Sequence, residues 1–467
     1  MKIQQTYDFI LISQIIIGFA ALSAIFWSFI RNANFIPFLL LLLVSIFIFV
    51  SVYISNNKLS KTKIDKSTCV LSIFIIWLVL IIMGAIPLYL IFPDENIKDI
   101  FFLTISLVST NGIWTEIEYS NVISFIIWQS ILQWLGGLFT IMIGSFFVEM
   151  VLNKKPISKD YFSIENVRII FFLYLSITII FTLIFRLLLN DWNYALHLTM
   201  ALISTSNSFN TDGNIIIEFN ILTKIFMIFT MIIGSLSISL HYKSFAHGFS
   251  TYFKSKNLKF AFIIISIFSL ILTIYTFNNI KMPFIEKYID ISFLIISFIT
   301  TTGIIPEKLY SYGLINNIII LLALLALVGG AVSSTSGGLK ATRIIYIYKY
   351  VYRYLFRLIN PRKIMAKDKI SNIDDASQIF LCSILYLLSI PIFSSILSIF
   401  DISFEKSFII VTSAITNSGI GLLEISNINY YPDTFIEIIL LSIVMLCGRI
   451  EIFITIILFS LLLWKRI

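Results

Sequence analysis

"LVSTNGIW", residues 107–114, interrupts an otherwise apolar stretch with three polar residues and a glycine. The same shape returns as "LISTSNSF" (202–209), "FITTTGII" (298–305) and "AITNSGIG" (414–421). Each is an apolar pair, then three residues drawn from Ser, Thr and Asn, then Gly or Asn. The closing positions are Gly112, Asn207, Gly303 and Gly419, set 95, 96 and 116 residues apart. One polar turn of this kind is an ordinary helix end. Four at near-constant spacing are an internal repeat, and a repeat decides an architecture before any single motif does.

The surroundings say where these turns sit. Of 467 residues, 58% are hydrophobic and only 12% charged, with a mean hydropathy of +0.97. Soluble domains carry about a quarter charged residues, so a soluble protein is excluded. Runs such as 36–54 and 70–92 are long enough to cross a hydrocarbon core of about 30 Å. They do not alternate polar with apolar, so they read as helices and not as barrel strands. Two leading helices, 9–30 and 37–54, come first. Each repeat then gives a long helix, a short amphipathic helix (98–108 in the first), the polar turn and a second long helix. The long pairs are 70–92 with 122–151, 169–189 with 220–240, 260–275 with 315–350, and 378–400 with 434–463. The pattern predicts an all-α polytopic membrane protein of about ten transmembrane helices. Four helix–pore-loop–helix repeats would stand in a pseudo-fourfold arrangement around one central pore. The divisions are 1–67 for the leading helices and a basic loop, then repeats over 68–166, 167–258, 259–370 and 371–467.

Charge placement gives the orientation. The net charge is +8, and its carriers cluster. One group is Lys58, Lys61, Lys63 and Lys66; others are Lys154, Lys155 and Lys159, and Lys243, Lys254, Lys256 and Lys259. The largest runs from Lys349 through Arg353, Arg357, Arg362 and Lys363 to Lys369, and Lys465 and Arg466 end the chain. The positive-inside rule puts all of these in the cytoplasm. Asp94, Glu95, Glu116, Glu118, Asp191, Asp212, Glu307 and Glu424 mark the outer connections. Topology accounts for the basic balance, so no nucleic-acid partner is inferred, and membrane lipid is the implied surroundings. Cys69, Cys382 and Cys447 lack metal-ligand spacing and read as small apolar residues. His197, His241 and His247 form no metal set and read as capping or interfacial residues. No acid–base cluster stands beside a nucleophile and no GxxxxGK[ST] pattern occurs, so an enzyme is not expected.

Polar, non-helical backbone survives at membrane depth only when buried in protein or lining a watery cavity. Four such turns around one axis present rings of carbonyl oxygens that replace the hydration shell of a monovalent cation. Glycine reaches backbone angles closed to other residues, and uncharged hydroxyls add hard oxygens that suit an alkali cation. The candidate filter residues are Ser109, Thr110, Asn111 and Gly112, then Ser204, Thr205, Ser206, Asn207 and Ser208. Thr300, Thr301, Thr302 and Gly303 follow, then Thr416, Asn417, Ser418 and Gly419. The potassium ligands are expected among Thr110, Asn111, Thr205, Ser206, Thr301, Thr302, Asn417 and Ser418.

"GGAVSSTSGGLKATR" (329–343) places small residues between two glycine pairs inside an apolar span. That composition favours an unwound segment, or else close helix packing. Gly329, Gly330, Ser333, Ser334, Thr335, Ser336, Gly337, Gly338 and Lys340 are the candidate gate loop. Lys340 and Arg343 are expected to snorkel to the cytoplasmic side. Arg449 is a charge inside the last span, read either as half of an interhelix ion pair or as a pore-lining cation that slows permeation. Glu451, two residues on, points elsewhere on a helix.

The four junctions resemble the filter loops of the Trk/Ktr/HKT superfamily of potassium transporters, TrkH-like membrane subunits in particular. "QWLGG" (133–137), the 329–343 loop and "GRIE" (448–451) resemble further tracts of that family. The likeness covers almost the whole chain. It implies potassium uptake across the cytoplasmic membrane of a bacterium, with the potassium ion as substrate and no covalent cofactor. It also implies a homodimer with one pore per subunit, and a cytoplasmic TrkA-like ring of nucleotide-binding subunits as regulator. The second junction departs from the family pattern, because Asn207 or, in a shifted register, Ser208 stands where glycine is expected. Asn is the residue after glycine best able to reach the left-handed region, so Asn207 is expected to adopt it. Sodium or mixed-cation transport, or a non-conducting regulatory homologue, therefore stays open as an alternative. Asn207→Gly is expected to raise the potassium-over-sodium permeability ratio, measured from reversal potentials in liposomes; an unchanged ratio marks Asn207 as a tolerated substitute.

Overall fold

The computed structural model describes residues 3–56, 66–113, 122–152, 164–207, 216–217, 219–276, 282–311, 318–360, 373–426, 428 and 430–450. Helices dominate, as apolar runs in lipid require. The leading pair is α1 (Ile3–Arg31) and α2 (Ile36–Asn56). The first repeat is α3 (Lys66–Ile91), the short α4 (Ile97–Val108) and α5 (Ile123–Leu152). The second is α6 (Ile164–Leu189), the short α7 (Trp192–Ser204), α8 (Ile221–Ser235), α9 (Ile238–His247) and α10 (Ser250–Lys254). The third is α11 (Lys256–Tyr275), the short α12 (Phe284–Ile299), α13 (Glu307–Ser311), α14 (Ile319–Val328) and α15 (Ala341–Ile359). The fourth is α16 (Ile373–Leu397), the short α17 (Phe404–Thr416), α18 (Ile420–Ile425) and α19 (Phe435–Ile450).

Among the described residues, seven helices are long and apolar enough to cross a membrane: α1, α2, α3, α5, α6, α11 and α16. Three further spans expected from the sequence take other shapes among the described residues. The span expected over 220–240 breaks after Ser235 and resumes at Ile238, bent by 104°. The span expected over 315–350 stops at Val328 and restarts at Ala341, where the small-residue stretch interrupts it. The last is helical to Ile450, and its continuation, including Glu451, lies outside the described residues, as do Ser208 and most of the basic loops.

The repeats interlock in a ring. The second long helix of each packs on the short helix of the next: α5 on α7, α8 on α12, α14 on α17, and α19 back on α4. A two-residue parallel pairing, Ile216 with Ile305 and Ile217 with Pro306, also joins repeats two and three. The short helices are amphipathic and bury their C-terminal halves; on α17, Ile410 through Thr416 are all buried. Trp128 and Trp77 are fully buried in the cluster that joins the leading helices to repeats one and two.

At the contact of repeats two and three, Lys224 at the start of α8 meets Asp290 on α12 at 2.5 Å, and both side chains are buried. Removing one partner strands the other charge away from water. Lys224→Met and Asp290→Leu are each expected to cost about 3–5 kcal/mol, and the double substitution far less. Unfolding midpoints of the detergent-purified variants, read as a double-mutant cycle, check this.

Candidate ion pathway

The four short helices end in one shared backbone device. Thr110, Thr205, Thr301 and Asn417 turn the chain with φ of 58°, 54°, 61° and 58°. In the first three the turning residue's N–H donates to the carbonyl three residues back, at 3.0–3.2 Å (Leu107, Leu202, Phe298). The next N–H reaches five residues back, Asn111 to Ser106, Ser206 to Ala201 and Thr302 to Ser297. This is the Schellman way of ending a helix, in which the turning position usually holds Gly. A β-branched Thr there is strained, and strain of this kind persists only where the surroundings over-determine it. Two residues later Gly112, Gly303 and Gly419 again take positive φ, 76°, 76° and 54°. The negative ends of four helix dipoles thus meet at one place, which favours a cation.

This register settles which residue stands in for glycine. Asn207 follows Thr205 by two, as Gly112 follows Thr110. Asn207 does not take a positive φ, contrary to the sequence expectation; its carboxamide reaches out instead, and Nδ2 donates to the Ser418 carbonyl at 2.9 Å. Neighbouring filters are tied by amides too. Asn111 Nδ2 donates to Ala414 O at 2.7 Å, and Asn417 Nδ2 to Ser109 O at 2.9 Å. Thr110 Oγ1, Asn111 Oδ1, Ser206 Oγ, Asn207 Oδ1 and Asn417 Oδ1 are buried with no hydrogen-bond partner among the described residues. Buried polar atoms are normally satisfied; Asn417 Oδ1 faces Gly448 on α19, and the other four stand in the turns that end the first and second short helices.

Glycine sets how close the outer helices come. A Cβ on Gly136 would fall into the Val108 carbonyl, one on Gly234 would lie 2.6 Å from Ile203 O, and one on Gly448 would fall into Ile415 O. Val108, Ile203 and Ile415 each stand two residues before the turning residue, so this is one position used three times. In repeat three the helix breaks at Gly329 instead. Residues 329–341 lie folded beneath the filters, nearly all buried. Thr335 Oγ1 lies 2.8 Å from both Ile203 O and Gly234 O and shares its one hydrogen between them, and Thr205 Oγ1 donates to Thr335 O at 3.0 Å. Gly337 N donates to Thr301 Oγ1 at 2.8 Å, and a Cβ on Gly337 would meet Thr416 O. Ser333 Oγ reaches Ser145 Oγ at 2.5 Å and Ile141 O at 3.2 Å. The loop therefore touches all four repeats.

No family model matches the chain. An uncharacterized cation transporter of Methanocaldococcus jannaschii is 27% identical over 88% of this chain and 85% of its own length. The Trk system potassium uptake protein TrkH of Escherichia coli K12 is 23% identical over 88% of both chains. TrkH of Vibrio parahaemolyticus is 24% identical over 93% of both. The crystal structure of the Vibrio parahaemolyticus potassium transporter TrkH superposes with a TM-score of 0.85 over 98% of this chain and all of that one, at 20% identity. The chain is TrkH-like in sequence and in fold.

In this TrkH-like chain the described candidate filter residues gather at one level, and the 329–340 loop sits directly beneath them. Lys340 does not snorkel: it is buried, and its ammonium donates to Ser336 O within the loop. Arg343 is buried as well. Arg449 is buried, and Nη2 donates to Ser204 O, a filter-helix carbonyl, at 3.2 Å; Nε and Nη1 have no partner among the described residues. His197 bonds Ser130 on α5 through Nδ1. His241 bonds Tyr252 through Nδ1 at 2.7 Å and Ile233 O through Nε2 at 3.1 Å, beside the bend. Glu424, on α18 after the fourth filter, is half-buried, and desolvation raises its carboxyl above the ordinary pKa. Sequence reading missed the α8–α9 break. The only written signal was a run of small residues, Gly234, Ser235 and Ser237, in an apolar span. It also missed the left-handed threonines, because three hydroxyl residues in a row do not say which one turns. Asn111→Ala and Asn417→Ala each remove a donor to a buried carbonyl and are each expected to cost about 1–3 kcal/mol, read as a lowered unfolding midpoint of the purified protein.

Proposed function

We propose that the chain carries potassium into the cell through the four-loop filter, gated by the 329–340 loop. The observation that carries the reading is the convergence of four short helices that end in the same left-handed turn, with unpartnered buried oxygens in the first two. Thr110, Asn111, Thr205, Ser206, Thr301, Thr302, Asn417 and Ser418 would ligate the ion. Four uncharged quadrants suit a monovalent ion that must both bind and leave. The relatives whose names state potassium uptake support the same substrate. The loop beneath the filter is the gate, held shut by bonds to all four repeats. Arg449, fixed to a filter-helix carbonyl, adds positive charge beside the path and slows permeation. The bacterial cytoplasmic membrane, a homodimer and a cytoplasmic nucleotide-binding ring are the setting that the family likeness supports.

The second reading is sodium or mixed-cation flow. One observation favours it: Asn207 replaces one of four glycines and directs an amide, not a carbonyl, at its neighbours. Uptake in potassium-deficient cells separates the two. Rescue of growth is expected at low potassium, with greater ion flux when residues between Gly330 and Gly337 are shortened and when Arg449→Gln is introduced at equal expression. Sodium-only flux would select the second reading, and flux unchanged by the shortened loop would remove the gate.

A further inference from the structure

Asn207 does more than substitute for a glycine. Its side chain leaves repeat two and bonds the Ser418 carbonyl of repeat four. The ring order places those repeats opposite each other, since α8 packs on repeat three and α5 on repeat two. The carboxamide therefore crosses the axis. Its nitrogen also lies over the two glycines that complete the crossing: a Cβ on Gly303 would be 3.0 Å from Asn207 Nδ2, and one on Gly419 2.9 Å. The other inter-filter amides, Asn111 and Asn417, join adjacent repeats only. Asn207 is 1% exposed, and its Oδ1 has no partner among the described residues.

We propose that the Asn207 carboxamide is a latch drawn across the filter, which closes the path at the glycine level and gives way to an arriving cation. The inference rests on reading these loops as the ion path. While latched, the amide N–H engages the Ser418 oxygen and places a partial positive charge on the axis. A dehydrated alkali cation at this level needs that oxygen and repels that charge. Released, the side chain rotates about its own bonds and offers Oδ1, a hard neutral oxygen, as a ligand from the one quadrant where no glycine stands. The chain then has two closures in series, the amide within the filter and the 329–340 loop below it. The latch belongs to this sequence, because it needs an amide at 207 and small residues at 303 and 419.

The test removes the lower closure and then the upper one. Full-length chain shortened between Gly330 and Gly337 is reconstituted in potassium-loaded liposomes, with rubidium as tracer. Asn207→Ala deletes the latch, and Asn207→Asp keeps its shape but has no N–H to donate. Both are expected to raise rubidium flux about tenfold over the shortened parent, the effect of losing one buried hydrogen bond of ordinary strength. Should Asn207→Ala not fold, Asn207→Asp decides alone. Parental flux in variants that elute as the parent does, with Gly303→Ala abolishing flux, overturns the latch and leaves the filter reading standing. Flux indifferent to Gly303→Ala overturns the filter reading, and the latch with it.

Discussion

Peptide groups at membrane depth must find partners in the protein or in what passes through it. The rest of the structure follows from that constraint. Four stretches of chain leave helical geometry in the middle of the bundle, and almost everything around them serves to hold the exposed backbone. Schellman turns close the helix ends, and amides from neighbouring repeats cap carbonyls that the turns leave free. The α8–α9 bend fits the same account. Breaking α8 frees the carbonyls of Ile233, Gly234 and Ser235, and each has a donor waiting: His241, Thr335 and Ala331. The break in repeat two and the loop of repeat three are thus two halves of one hydrogen-bonded unit.

That coupling also explains where the fourfold likeness fails. Repeats one, two and four use a glycine to bring an outer helix against the same filter carbonyl. Repeat three has no continuous helix at that level, and its chain instead runs under the filters of its neighbours. A ring of four equal units has room for one such insertion on its axis, so one repeat alone can supply it.

The repeat, the helical class and the small-residue break in repeat three were legible in the sequence because each is written in local composition. Hydropathy marks the spans, and Ser, Thr and Asn ahead of Gly or Asn mark the four polar turns. The small residues of 329–343 announced an unwound segment, and the structure has one. What stayed hidden depends on contacts between distant segments. Nothing near Lys224 names Asp290 as its partner, 66 residues away. Nothing around Asn207 says that its amide meets Ser418, because that meeting depends on ring closure. Arg449 was readable as a charge needing a partner, but the partner is a backbone carbonyl, and a carbonyl leaves no mark in a sequence.

The buried Lys224–Asp290 pair has a bearing on how the chain is made. Lys224 enters the bilayer with the second repeat and Asp290 with the third, so the two charges are synthesised apart. Each is costly in lipid on its own. Neither helix is at ease until the other arrives, and their meeting is also the step that sets the third filter beside the second. Assembly is thereby tied to neutralisation: a chain halted between the two repeats would hold an ammonium whose buried carboxylate partner has not arrived, a mark that separates an unfinished molecule from a finished one.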